Sequence, residues 1–141
     1  MQLVCPSCQA INRLPAGRDA AVAQCGKCKQ RLFQAQPLEA SAAVFQRHLE
    51  KNELPLVVDF WASWCGPCQM MAPAFSAAAA ELEPDCRLLK LDTEKAQKVA
   101  AQWSIRSIPT MILMQSGKEV ARTSGAMDKN QIVNWVRQNL H

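Results

Sequence analysis

The chain has 141 residues, 49% of them apolar, with seven cysteines and a formal net charge of +4. This length allows one ordinary domain plus a small appendage, and no apolar run approaches the roughly 18 residues of a membrane helix. The start, Met1-Gln2-Leu3-Val4-Cys5, lacks the basic flank and apolar stretch of a signal peptide, so a cytoplasmic location without a membrane partner is expected, with cysteines used for metal and redox chemistry.

The charge is uneven. Residues 1–37 carry Arg13, Arg18, Lys27, Lys29 and Arg31 against Asp19 alone, while the remainder is balanced. The same front segment holds Cys5-Pro6-Ser7-Cys8 and Cys25-Gly26-Lys27-Cys28, sixteen residues apart. Two residues between thiols let a tight turn aim both sulfurs at one ion, and Pro6 and Gly26 suit such turns. The spacing predicts a zinc-ribbon domain over residues 1–36 with one structural Zn²⁺ held by Cys5, Cys8, Cys25 and Cys28. Between the pairs, only Ile11, Leu14 and Val22 are large and apolar, so the metal would supply the folding energy. A pair of disulfides, or a switch in which oxidation expels the ion, are the competing readings. Four thiolates around one Zn²⁺ would halve the local positive surplus, and Phe33 is the segment's sole aromatic, so no nucleic-acid partner is expected.

A second domain is expected over residues 37–141. Gln36 to Ala40 can form a short edge strand, limited by Pro37. Ser41 suits the N-cap of a helix ending near Asn52, with Val44, Phe45 and Leu49 on one face and His48 as a surface residue. Leu56 to Trp61 reads as a buried parallel strand. Asp59 interrupts that strand with a carboxylate. Burial there is costly and raises the pKa, so Asp59 is either functional or evidence against the strand.

Trp61-Ala62-Ser63-Trp64-Cys65-Gly66-Pro67-Cys68 follows, and an alanine-rich helix runs from about Gln69 to Leu82 with Pro73 inside it. The two cysteines fall where strand hands over to helix. Unpaired N–H groups and the dipole at a helix start stabilise a thiolate, and a Cys-X-X-Cys pair so placed reacts near neutral pH. Cys65, at the exposed helix start, is the expected nucleophile; Cys68, one turn in and more buried, is the expected resolving thiol. Gly66 permits close approach of a substrate backbone, and Pro67 fits the first helical turn. Structural cysteines, or half of a metal site, are the plainer alternative.

Further on, Cys86 to Asp92 reads as a strand with Cys86 a small apolar filler, or else a regulatory thiol, and Glu94 to Trp103 as a short helix. Ile108-Pro109-Thr110 leads into a strand over Met111 to Gln115. Ser116-Gly117-Lys118 turns the chain into a strand over Glu119 to Ser124. Asp128 and Gln131 form a capping-box start for a last helix with Ile132, Trp135 and Val136 inward. Helical crossovers followed by a hairpin predict an α/β fold, a mixed central sheet flanked by helices.

Trp64-Cys65-Gly66-Pro67-Cys68 after Val58-Asp59-Phe60-Trp61-Ala62, with Gln69-Met70-Met71-Ala72-Pro73 and Ile105-Arg106-Ser107-Ile108-Pro109-Thr110, resembles the thioredoxin family over residues 37–141. The front segment is similar to that of the zinc-containing bacterial thioredoxin 2 branch. The resemblance implies a thioredoxin fold and a general protein-disulfide reductase, monomeric, whose redox-active Cys65–Cys68 disulfide is re-reduced by an NADPH-dependent thioredoxin reductase, with disulfide-containing proteins as substrates and no bound organic cofactor. It implies that Asp59 is a general acid/base toward Cys68 and that Lys90 modulates it. It also implies a cis Pro109 facing the cysteines, and a docking patch of Trp64, Gly66, Pro67, Ile108, Pro109, Gly125 and Ala126. Ser63 departs from the acid or proline of many relatives. Proline between the cysteines implies a reducing poise, about −270 mV as established for thioredoxins against about −120 mV for the periplasmic oxidant. A disulfide oxidase or isomerase, and a redox-regulated zinc-dependent holdase, are the rival classes.

Overall fold

The computed structural model describes residues 1–140; His141, the last residue of the expected second domain, lies outside them. At the front, β1 (Gln2–Val4) pairs antiparallel with β2 (Ile11–Arg13), and a 3-10 turn spans Ala20–Val22. The second unit runs β3 (Leu38–Ala40), α1 (Ala42–Lys51), β4 (Leu56–Trp61), α2 (Gly66–Leu82), β5 (Arg87–Asp92), α3 (Gln97–Gln102), β6 (Thr110–Gln115), β7 (Lys118–Ser124) and α4 (Lys129–Asn139). Its sheet has the order β3-β5-β4-β6-β7. The first three strands are parallel and the last two antiparallel, as crossover helices followed by a hairpin require.

Local chemistry explains the boundaries. Ser41 caps α1 by accepting from Val44 N, and Asp128 and Gln131 close a reciprocal capping box on α4. Ser116 and Gly117 both have positive φ, the conformation a two-residue hairpin turn needs. The helix after β4 starts at Gly66, three residues before the alanine-rich stretch, because Cys65 serves as its N-cap. α3 is shorter than its sequence signal, since Asp92 accepts from Glu94 N and Ala96 N and holds residues 93–95 in a turn. Two apolar layers sandwich the sheet. Val57, Leu88 and Met111 meet α2 and α4; Val58, Phe60, Leu89 and Ile112 meet α1 and α3. Cys86 is fully buried in the first layer, where burial pushes its thiol up to about 12.

The front unit packs on the end of the sheet where β4 and β5 begin. Leu3, Leu32 and Phe33 bury against Leu54. Val4 N donates to Asn52 Oδ1, Glu53 N donates to Gln2 O, and Ala35 N donates to Glu83 Oε1. Arg87, at the start of β5, is buried beneath this unit; its guanidinium lies 4.6 Å from the Phe33 ring centre, 3.5 Å from Glu83 and 3.4 Å from the Val4 carbonyl.

His48 is not on the surface. It is fully buried, and its Nε2 lies 3.0 Å from Gln9 Oε1 while Arg47 Nε donates to Gln9 O. Burial, with Arg87 and Arg47 nearby, depresses its pKa to about 3, so the ring is neutral. The face of α1 that would expose it in an isolated domain is covered by the front unit.

Candidate active site and thiol cluster

β4 delivers the chain to the N-terminus of α2, and the Cys65–Cys68 disulfide closes that turn. Cys65 Sγ accepts from Cys68 N at 3.2 Å. A thiolate at this position would sit on the N-cap, facing the positive end of the helix. Both cysteines are buried, at 4% and 3% exposure, so residue burial does not separate them as expected. Access does. Cys65 lines a groove of about 490 Å³ and Cys68 does not.

The groove runs between the start of α2 and the loop before β6. Trp64, Gly66, Pro67 and Ile108 line it, and Cys65 Sγ lies 3.8 Å from the Ile108 carbonyl oxygen. Thr93, Ile105, Arg106 and Ser107 also line it and were not anticipated, although the last three lie inside or beside the Ile-Pro-Thr motif. Pro109, Gly125 and Ala126 lie outside its lining. The Ile108–Pro109 peptide is cis, and Gly125 N, at a residue with φ +101°, donates to Pro109 O. Thr110 fastens these two loops together: its hydroxyl donates to Ser107 O at 2.7 Å and lies 2.9 Å from Ser124 Oγ. Trp64 is 67% exposed, with its indole N–H on Glu94 Oε1; Met70, one turn beyond Gly66, is 78% exposed. The rim of the groove therefore presents the exposed Trp64 ring beside exposed Arg106 and Ser107.

Asp59 lies in β4, buried, with both carboxylate oxygens lacking a hydrogen-bond partner among the described residues. Burial raises its pKa to about 7, against the lowering field of Lys90. Lys90 is its register neighbour on β5, and the ammonium lies 4.3 Å over the Trp61 ring.

At the other end of the molecule, the sulfurs of Cys5, Cys8, Cys25 and Cys28 all lie within 4.8 Å of one another. Cys5 with Cys28, and Cys8 with Cys25, are 3.6 Å apart. Tetrahedral ligation at about 2.3 Å per bond needs sulfur–sulfur edges of about 3.8 Å, so the cluster fits Zn²⁺. Ser7 N donates to Cys5 Sγ; Lys27 N and Asn12 Nδ2 donate to Cys25 Sγ, as donors around thiolate ligands do.

The family model described as Thioredoxin matches residues 36–138, and the one described as Thioredoxin 2, N-terminal, a zinc ribbon, matches residues 4–30. Thioredoxin C-3 from Corynebacterium nephridii is 41% identical over 140 residues, covering 99% of this chain and 96% of that one. A thioredoxin from Haemophilus influenzae is 36% identical over 103 residues, 73% of this chain and 96% of its own. Among solved structures, thioredoxin NaTrxh from Nicotiana alata superposes with a TM-score of 0.65 at 33% identity, covering 72% of this chain and 89% of that one. The family match and these relatives, together with the strand-to-helix dithiol on a five-stranded mixed sheet, make the protein a thiol–disulfide oxidoreductase. The chain belongs to the thioredoxin family, as a protein-disulfide reductase with an N-terminal zinc-ribbon module.

Proposed function

We propose that Cys65 attacks and Cys68 resolves. The Cys65 thiolate adds to one sulfur of a substrate disulfide, breaking that bond and expelling the other sulfur as a thiolate. Cys68, its proton passed toward the Asp59 carboxylate through water, then attacks Cys65 Sγ. The mixed disulfide breaks, the substrate leaves with both thiols, and two electrons have moved from the protein to the substrate. The Cys65–Cys68 disulfide that remains is the state described here. An NADPH-linked thioredoxin reductase would return it to the dithiol.

The carrying observation is the groove, which opens onto Cys65 and not onto Cys68. It supports extended substrate backbone laid against Ile108, with Trp64, Gly66 and Pro67 as an apolar frame. Incubating a Cys68→Ser variant with insulin should trap a mixed disulfide through Cys65, seen as a reducible adduct by mass spectrometry. An adduct in Cys65→Ser in place of Cys68→Ser would reverse the two roles.

We assign one structural Zn²⁺ to Cys5, Cys8, Cys25 and Cys28, supported by the fit above. The ion would act as a closed cross-link for a segment with little core of its own. Metal analysis of protein purified without chelator should give one zinc per chain, and stripping it should expose four titratable thiols. The same thiols, unpaired here, suit a reducing compartment such as the cytoplasm. Among the described residues no helix is long and apolar enough to cross a membrane.

A further inference from the structure

The outer face of the ribbon carries a second groove, of about 400 Å³. Arg13 at the end of β2, Arg18 in the following loop and Lys29 after the last thiol line it, all three exposed, and no acidic side chain does. The ion pairs among the described residues are Arg87–Glu83, Arg122–Glu119, and Lys129 and Arg137 with Glu81, so none engages these three cations. Asp19, the sole acid of residues 1–37, is already committed to the Ala21 N–H at 3.0 Å. Lys29 has its ammonium on Gly26 O at 2.9 Å, which fixes it on the rim. Half-buried Leu14 and Val22, 58% exposed, add apolar surface to the groove, and Leu32 lies buried at its floor.

We propose that this groove is an exosite for acidic protein segments, recruiting substrates or partners that carry aspartate- and glutamate-rich stretches. The chemistry favours this occupant. Three cations with no ion pair among the described residues, set beside apolar surface, complement carboxylate side chains on a peptide, whereas no aromatic side chain of the described residues lines the groove to stack a base. The four thiolates of a zinc-loaded ribbon would leave negative charge below the groove. The attraction therefore belongs to the three side chains in direct contact and not to the ribbon's net charge. The groove lies on the unit that packs where β4 begins, whereas the redox pair follows the end of β4. A substrate tail held there leaves the redox groove open. The identity of the recruited proteins rests on the reductase activity; binding of the segment does not.

The test uses the zinc-loaded full chain and fluorescence anisotropy, with insulin reduction measured separately. The probes are a fluorescein-labelled, cysteine-free Asp/Glu-rich peptide, its Asn/Gln counterpart, and a single-stranded oligothymidylate of equal charge. The acidic peptide should bind and its counterpart should not. Rising salt should weaken the complex, as expected for exposed charges. The triple variant Arg13→Gln, Arg18→Gln, Lys29→Gln should weaken it about tenfold, the scale of three exposed ion pairs lost together. The charge-matched variant Lys51→Gln, Lys98→Gln, Lys118→Gln should bind as the parent does. Equal losses in both variants, or tighter binding of the oligonucleotide, would overturn the proposal. Amide shifts of the unmutated protein on adding peptide give an answer independent of variant folding: they should centre on residues 12–18 and 22–32, and shifts centred on the redox groove would count against an exosite.

Discussion

Asp59 and Lys90 stand side by side across the parallel β4–β5 pair, yet the Lys90 ammonium rests over the Trp61 ring and the Asp59 carboxylate has no hydrogen-bond partner among the described residues. The acid therefore feels the lysine only through its field. Burial dominates, and the folded pKa rises to about 7 from an ordinary 3.8. Between these values the folded chain holds a proton that the unfolded chain has lost. This contribution to stability is complete below about pH 4 and disappears as pH rises through 7. Asp59→Asn should then stabilise the oxidised protein by on the order of 3 kcal/mol at pH 8 and leave it near parity below pH 4. Denaturant unfolding at the two pH values decides this; the same difference at both would mean that the carboxylate is not strained by burial.

The same acid should shape turnover. Above pH 7 its carboxylate is available to take the Cys68 proton, so Asp59→Asn should slow insulin reduction most there, by up to about 100-fold. Lys90→Met removes the opposing field and should move the parent's pH profile to higher pH. Profiles of unchanged shape in both variants would remove Asp59 from the proton path.

Thr110 should matter more for substrate affinity than for redox poise. Its hydroxyl ties the Ser107 carbonyl to Ser124, holding the loop that presents Ile108. Thr110→Val should raise KM for protein disulfides several-fold with little change in reduction potential, and Thr110→Ser should restore it. A shifted potential with an unchanged KM would place the role elsewhere.

Arg87 should be the residue on which ribbon docking depends. It is buried between Phe33, Glu83 and Val4, and removing one partner of a buried pair leaves the other uncompensated. Arg87→Met should cost about 3 kcal/mol, read by denaturant unfolding, and should open the segment near residues 34–37 to limited proteolysis. Protease resistance equal to the parent's would show that apolar contact alone seats the ribbon.

The strand Leu56–Trp61 and the capping box at Asp128 were legible because each is a local pattern, an apolar run or a fixed three-residue spacing. The metal spacing and the strand-to-helix dithiol were legible for the same reason. What depended on distant chain was not. His48 follows Phe45 by three residues on α1 and precedes the buried Asn52, which caps the helix, by four. It becomes interior only because Gln9 and its neighbours fold over it. Thr93 and Arg106 join the groove through sheet order, which no window of sequence contains. The cationic groove of the ribbon was legible as composition but not as a shape, since its three charges come from three separate turns of chain.

The ribbon packs where β4 begins, and the reactive disulfide follows where β4 ends. Six residues at about 3.3 Å each put the length of a strand between the two sets of sulfur, while disulfide exchange requires sulfur atoms in direct contact. A single molecule therefore cannot shuffle electrons between its own two thiol groups. Any oxidation of the metal-binding thiols by Cys65–Cys68 must pass through a second molecule, so the rate of such self-inactivation should rise with protein concentration.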